Sequence, residues 1–309
     1  MDTVKNVVKT KKFAYLTMII VVVAWGYEYV AAKAALTAIA PLALVCVKYS
    51  LGIIVLLTVK SIVDRRFFFG RRDIPLLLVC AVFGDIIYFA CEYGAMSYLP
   101  VSVISIVLAF VPAVSVLLEY ILWKRRANMR IGLGIAVGIV GVALVIGGDF
   151  SAFLSGSAAG YLLVFGAVFA WNIYNFSTVK LTGSYHPLDL TLYQSVCAAL
   201  LSLPFLLHSL PPAELFFSEE VFAGVLYLGL FSEGCGFLIY VNALRAIGPT
   251  PISLYSNMLP VSTTFFGWLL LGEHIGPIQI AGGAVVVAAG VMVIWEKDKL
   301  DTIRESGGG

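Results

Sequence analysis

The sequence predicts an all-α polytopic membrane protein: ten transmembrane helices in two inverted repeats of five (5+5), with N- and C-termini cytoplasmic. Three observations predict it: a composition too apolar for a soluble domain, ten apolar runs near spanning length, and a residue pattern that returns half a chain later. The 309 residues are 61% hydrophobic and 12% charged, with a mean hydropathy of +0.98. A soluble domain carries about 25% charged residues. The net charge of +2 is no nucleic-acid signal, because the basic residues sit in short clusters between apolar runs.

The runs are 13–35, 41–63, 74–97, 100–122, 131–148, 160–180, 187–207, 221–245, 250–271 and 277–295, each near the ~20 residues a spanning helix needs. The first follows a lysine-bearing tail and lacks a small-x-small cleavage site, so it reads as an uncleaved span rather than a signal peptide. The second and seventh open on Pro41-Leu42 and Pro187-Leu188. The third and fourth are joined by Ser97-Tyr98-Leu99-Pro100, the ninth and tenth by Gly272-Glu273-His274-Ile275-Gly276; no connection has room for a soluble domain. The expected organisation is a cytoplasmic tail over 1–12, a first repeat over 13–148 and an extracytoplasmic linker over 149–159. A second repeat over 160–295 and a cytoplasmic tail over 296–309 complete it. Eighteen of the twenty lysines and arginines then fall on the cytoplasmic side and only Lys33 and Lys48 remain, in keeping with the positive-inside rule. Lys33 is expected to snorkel to the outer interface. The five cysteines lie within apolar runs, form no CxxC pair, and read as packing thiols.

The repeat is visible in single residues. Ala24-Trp25 returns as Ala170-Trp171, and Asp85, Ala95, Ser105 and Pro112 return as Glu233, Ala243, Ser253 and Pro260, each 148 residues on. Gly134 and Gly141 return as Gly283 and Gly290; with Gly138 they read as close helix packing. Five spans is an odd number, so the second copy enters from the opposite face, as in transporters that bind solute near the midplane.

Trp25-Gly26 with Lys33 late in the first span, Lys48-Tyr49 in the second, and Leu271-Gly272-Glu273 closing the ninth resemble the EamA-type permeases of the drug/metabolite transporter superfamily, over 13–295. The resemblance implies a ten-helix bundle moving small organic solutes, often outward, by alternating access. Two positions depart from that pattern. Leu122-Trp123-Lys124 stands where the family has Leu-Gly-Glu, and Glu28 where a small or amide residue is usual.

Ionisable groups inside spans normally have a task. Asp85, about 11 residues into its span, lies roughly 16 Å deep at 1.5 Å per residue. Glu233 reaches a similar depth. Asp85, Tyr88, Phe89 and Glu92 share one helix face; Glu233, Gly236, Phe237 and Tyr240 share another. Two carboxylates facing one cavity would bind a proton or a cation; the competing reading is a carboxylate bonded to nearby Tyr or Ser, holding helices in register. Glu28 and Lys48 lie at equal depth and either pair or contact solute. Trp25–Glu28–Tyr29 corresponds to Trp171–Tyr174–Asn175, aromatic walls suited to cation–π or ring stacking. Glu92 is expected to line a hydrated vestibule. Pro112 and Pro260 are candidate hinges that free the carbonyls of Leu108 and Ser256, with Asn257 one turn before Pro260 as a further candidate.

Three histidines form no metal cluster, and no nucleophile with a base stands at an interface, so no cofactor or metal is expected and the chain reads as a transporter rather than an enzyme. The expected function is alternating-access export of a small cationic or zwitterionic metabolite or drug across the inner (plasma) membrane, driven by proton entry. A pH-independent facilitator of neutral amino acids or nucleobases is the alternative. Expected partners are the solute, protons and the lipid bilayer; a homodimer stays open.

Overall fold

The computed structural model describes residues 11–63, 70–123, 129–146, 158–247, 255 and 258–307. Apart from turns and a short helix at Ala213–Phe216 they form eleven helices, with no strand among them: α1 (Lys11–Ala35), α2 (Pro41–Val63), α3 (Arg71–Ala95), α4 (Val101–Leu108), α5 (Val111–Trp123), α6 (Met129–Ile146), α7 (Ala158–Thr182), α8 (Pro187–His208), α9 (Glu219–Ala246), α10 (Leu259–Leu271) and α11 (Pro277–Gly307). Among the described residues seven stretches are long and apolar enough to cross a membrane: Phe13–Ala35, Pro41–Val63, Arg71–Ala95, Val101–Leu118, Ala158–Thr182, Pro187–His208 and Glu219–Ala246. Met129–Gly141, Leu259–Leu271 and Pro277–Val293 are shorter apolar helices. Many large apolar side chains face outward, among them Leu16, Ile20, Ile62, Leu162 and Trp268. A surface of that kind suits hydrocarbon rather than water.

The packing exchanges partners between the halves. Helix α1 packs on α9 and α10, while α7 packs on α3, α4 and α5. Helix α2 packs on α9 and α8 on α3; α2 and α8 cross each other, as do α6 and α11. The main contacts of one half thus have counterparts in the other, which brings α1, α2, α3, α7, α8 and α9 to a common centre. The α6–α11 crossing is close because Gly141 has no side chain: a Cβ there would lie 2.9 Å from the Val286 nitrogen and 3.0 Å from the Gly282 oxygen.

Both prolines read as hinges begin helices instead of bending them. The fourth run is not one helix: α4 ends at Leu108, a turn follows, and Pro112 is the second residue of α5. Pro260 is likewise the second residue of α10. In a first turn the missing N–H costs no helical bond. Leu108 is the last residue of α4, where the span is interrupted before Pro112. Ser256 and Asn257 lie outside the described residues. The last helix also runs on to Gly307, past the expected span end at 295.

At one end of the bundle Gly272 takes the left-handed conformation (φ 64°) that closes α10. The turn presents Glu273 to the start of α4, where it accepts from the Val101 and Ser102 nitrogens (2.9 and 3.2 Å) and from Ser102 Oγ (2.7 Å). A carboxylate satisfies free N–H groups at a helix N-terminus and opposes its dipole. Lys33 Nζ lies 3.5 Å from the same carboxylate, so it pairs with protein rather than only reaching for the interface. At the other end Lys60 and Asp189 form a buried ion pair at 2.5 Å, linking α2 to α8.

Gly141→Val is expected to wedge α6 from α11 and cost about 1–3 kcal/mol, as overpacking does. Thermal unfolding in detergent checks it. An unchanged midpoint would mean that the helices do not meet there.

Candidate functional site

The two central carboxylates sit where their helices widen. Ala81–Ile87 of α3 and Tyr227–Phe237 of α9 are π-helical, and these segments contain Asp85 and Glu233. Such wide turns recur at functional sites because they re-aim side chains and loosen the backbone ladder. Both residues are buried, at 2% and 1% exposure. Tyr49 Oη donates to Asp85 Oδ1 at 2.6 Å, and Ser195 Oγ donates to Glu233 Oε1 at 2.9 Å. The Tyr49 hydroxyl also faces Glu233. A phenol thus stands beside both carboxylates. Asp85 Oδ2 and Glu233 Oε2 are buried without a hydrogen-bond partner.

Glu28 and Lys48 do pair, with Nζ 2.6 Å from Oε1 and both side chains buried. Ser232 of α9 donates to the other Glu28 oxygen. The Lys48 ammonium also stands 3.6 Å from the centre of the Phe89 ring, a cation–π contact strengthened by desolvation. Glu92, expected in a hydrated vestibule, is 3% exposed and accepts from both Tyr29 and Tyr88 at 2.7 Å. The correction has a simple cause: two phenols from α1 and α3 close over a carboxylate that depth alone leaves near the helix end.

The aromatic residues form a continuous layer between the halves. Trp25 packs on Phe237 and Tyr240, each at 5.2 Å between ring centres, and its indole Nε1 is buried without a partner. Trp171 stacks on Tyr174 at 4.9 Å and meets Tyr88 at 4.8 Å. Tyr240 Oη donates to Asn175 Oδ1 at 3.2 Å. The layer thus gathers Trp25, Trp171, Tyr88, Tyr174, Asn175 and Tyr240 around the charged centre. Asn257 lies outside the described residues.

The polar contacts obey the repeat. The spacing that takes Trp25 to Trp171 and Pro41 to Pro187 takes Glu28, Tyr29, Lys48 and Tyr49 to Tyr174, Asn175, Gln194 and Ser195. The spacing that takes Asp85 to Glu233 takes Gly84 to Ser232 and Glu92 to Tyr240. The Glu28–Lys48 pair is then answered by Tyr174 and Gln194 (3.4 Å), and Tyr29–Glu92 by Asn175–Tyr240. Tyr49–Asp85 is answered by Ser195–Glu233. Even the crossing contact repeats: Ser232 touches Glu28, while a Cβ on Gly84 would come within 2.1 Å of the Tyr174 ring. Same geometry, different chemistry: the first half uses charges where the second mostly uses neutral groups. Sequence reasoning missed Tyr49, Ser195, Ser232 and Gln194 as site residues. The signal was available, because carrying the repeat through the second and seventh runs aligns two hydroxyl residues.

Among the described residues four carboxylates and one lysine thus lie buried in the centre. Isolated charges in so dry a place are costly, so the carboxylates beyond the one that Lys48 balances call for a proton, a cation or a solute ammonium.

Comparison with known proteins gives a family match twice over. The model of the EamA-like transporter family fits residues 12–147 and again 158–295. The chain is 26% identical to the "Probable amino-acid metabolite efflux pump" of Salmonella typhimurium, over 92% of this chain and 95% of that one. It is 27% identical to the "Probable terminal-alkyne amino-acid exporter" of Streptantibioticus cattleyicolor, over 72% and 73% respectively. A solved crystal structure shares the fold with a TM-score of 0.69 at 16% identity, covering 94% of this chain and 99% of its own.

Lys48→Met leaves Glu28 as a lone buried charge and is expected to cost about 3–5 kcal/mol. Adding Glu28→Gln should recover most of that loss in detergent unfolding. A double variant no more stable than Lys48→Met alone would mean that the two groups are not energetically coupled.

Proposed function

Because the chain belongs to the EamA-like transporter family, and is thus a multi-pass membrane transporter with two copies of the family repeat, we propose that it exports a small cationic or zwitterionic organic metabolite by alternating access in exchange for protons. In this reading ten spans cross the cell (inner) membrane as two inverted halves with both termini in the cytoplasm. The short helices α6, α10 and α11 and the joined pair α4–α5 supply the spans beyond the unbroken ones.

One observation carries the reading: four buried carboxylates surround a single lysine where the two halves meet. A cationic solute satisfies that excess of negative charge, and so do protons, but not both at once. Competition for the same oxygens is the elementary requirement of antiport: binding of one must expel the other. The layer of Trp25, Trp171, Tyr88 and Tyr240 suits an ammonium against ring faces. The two relatives are named for a terminal-alkyne amino acid and for an amino-acid metabolite, which supports a zwitterionic substrate. Its ammonium would take the place of Lys48 beside the acids, while its carboxylate would take that of Glu28 beside Lys48.

The exchanged packing suits alternating access. Since α1 rests on α9 and α7 on α3, rocking one half against the other shears these seams at opposite ends. The Lys60–Asp189 pair and the Glu273 cap are the polar ties to be broken in turn.

The test is solute flux into or out of proteoliposomes under an imposed pH gradient, with a pool of labelled amino acids as probe. Asp85→Asn and Glu233→Gln are each expected to lower gradient-driven flux at least tenfold while leaving equilibrium exchange less affected. Full gradient-driven flux in both variants would remove the carboxylates from the mechanism. Wild-type flux indifferent to the gradient would favour a facilitator.

A further inference from the structure

We propose that Tyr49 joins Asp85 and Glu233 into one proton-binding unit that holds a single proton, where two symmetric halves would otherwise hold two. The inference deepens the transport reading and rests on it only for what the proton does during the cycle.

The geometry begins with the mismatch between Tyr49 and its counterpart Ser195. Each donates to the carboxylate of its own half, at 2.6 Å and 2.9 Å. Serine is short, and its hydroxyl serves Glu233 alone. The tyrosine ring carries its oxygen farther from α2, and that oxygen also faces Glu233 across the boundary between halves. Gly52, one turn along α2, permits the approach: a Cβ there would lie 2.5 Å from Glu233 Cγ. The phenol is 1% exposed, so no solvent competes for it.

A phenol has one hydrogen to give and oxygen lone pairs to receive. With that hydrogen on Asp85, Glu233 can engage the same oxygen only as a donor, which means carrying the proton itself. Passing the Tyr49 hydrogen to Asp85 while Glu233 passes its proton to Tyr49 moves one proton between the halves. The phenol ends neutral, as it began; one O–H bond breaks and one forms at each step. A second proton has no comparable place, because the remaining oxygens, Asp85 Oδ2 and Glu233 Oε2, lack a partner to receive its hydrogen bond.

The other ionisable groups facing this unit are Lys48 from α2, Glu28 from α1, Cys80 and Tyr93 from α3, Tyr174 from α7 and Cys197 from α8. Lys48 alone among them is basic, and its short contact is to Glu28. The set therefore offers the pair no second fixed positive charge.

The experiment is infrared titration of the purified protein without solute, following the carboxylic-acid C=O bands, with Asp85→Asn and Glu233→Gln to assign them. In the wild type one band is expected, altered by either replacement, because both residues share its proton. In Tyr49→Phe two bands are expected, each removed by one replacement and indifferent to the other. Tyr49→Ser, which copies the second half, keeps a hydroxyl that does not span the gap and should behave like Tyr49→Phe. Should Tyr49→Phe fail to fold, the serine variant and the cross-dependence in the wild type decide the matter. Wild-type bands that ignore the opposite replacement would overturn the proposal, as would Tyr49 variants with wild-type spectra and only a lowered unfolding midpoint. The measurement involves no transport, so failure of proton-driven export would leave its outcome standing, and the reverse.

Discussion

The structure depends on one ammonium. Lys48 is the single basic group in a buried centre that holds Glu28, Asp85, Glu92 and Glu233, and it is itself wholly buried against the Phe89 ring. A lone charge in such surroundings costs several kcal/mol even after relaxation. Its pairing with Glu28 at 2.6 Å fixes how α1 meets α2, and Ser232 extends that pair to α9. What Lys48 does not balance must be met by hydroxyls, protons or a visiting cation. Tyr29 and Tyr88 meet Glu92, while Tyr49 and Ser195 meet only half of each remaining carboxylate. The unmet oxygens are what the proposed binding reading rests on.

Around that charge the two halves repeat one another closely enough that contacts can be paired off residue by residue. They do not repeat chemically. An ion pair faces a tyrosine–glutamine contact, and a tyrosine–glutamate contact faces a tyrosine–asparagine one. In the proposed cycle two identical halves would make both directions of opening equal in energy, and unequal chemistry within equal geometry would favour one state. The ties at the ends are unequal as well, a buried Lys60–Asp189 pair at one and the Glu273 helix cap at the other.

Much of this was legible in the sequence because membranes punish ambiguity. Apolar runs must be long, charges must lie on one side, and an acid in mid-run is too costly to be incidental. Asp85, Glu233, Glu28 and Lys48 announce themselves for that reason, and the duplicated pattern places them together. Other features rest on contacts that no one-dimensional pattern carries. A helix widens to π geometry around Asp85 and Glu233 without any proline to mark it. Pro112 and Pro260 read as interruptions within spans, yet each opens a helix, since the chain breaks just upstream of Pro112. Glu92 lies near a helix end and so reads as hydrated, but tyrosines from two helices cover it. Glu273 belonged to a recognised motif, and only its bonds to the α4 N-terminus give that motif a physical purpose.

The central claim is that solute and proton exclude one another at the same buried oxygens. It is tested most directly by counting protons released when a mixture of amino acids is added to the solubilised protein in weak buffer with a pH indicator. The account predicts release in the wild type that disappears in the Asp85→Asn, Glu233→Gln double variant. Binding seen as a thermal shift, with no proton released from the wild type at any pH between 5 and 8 (roughly the range of maximal protein stability), would contradict it.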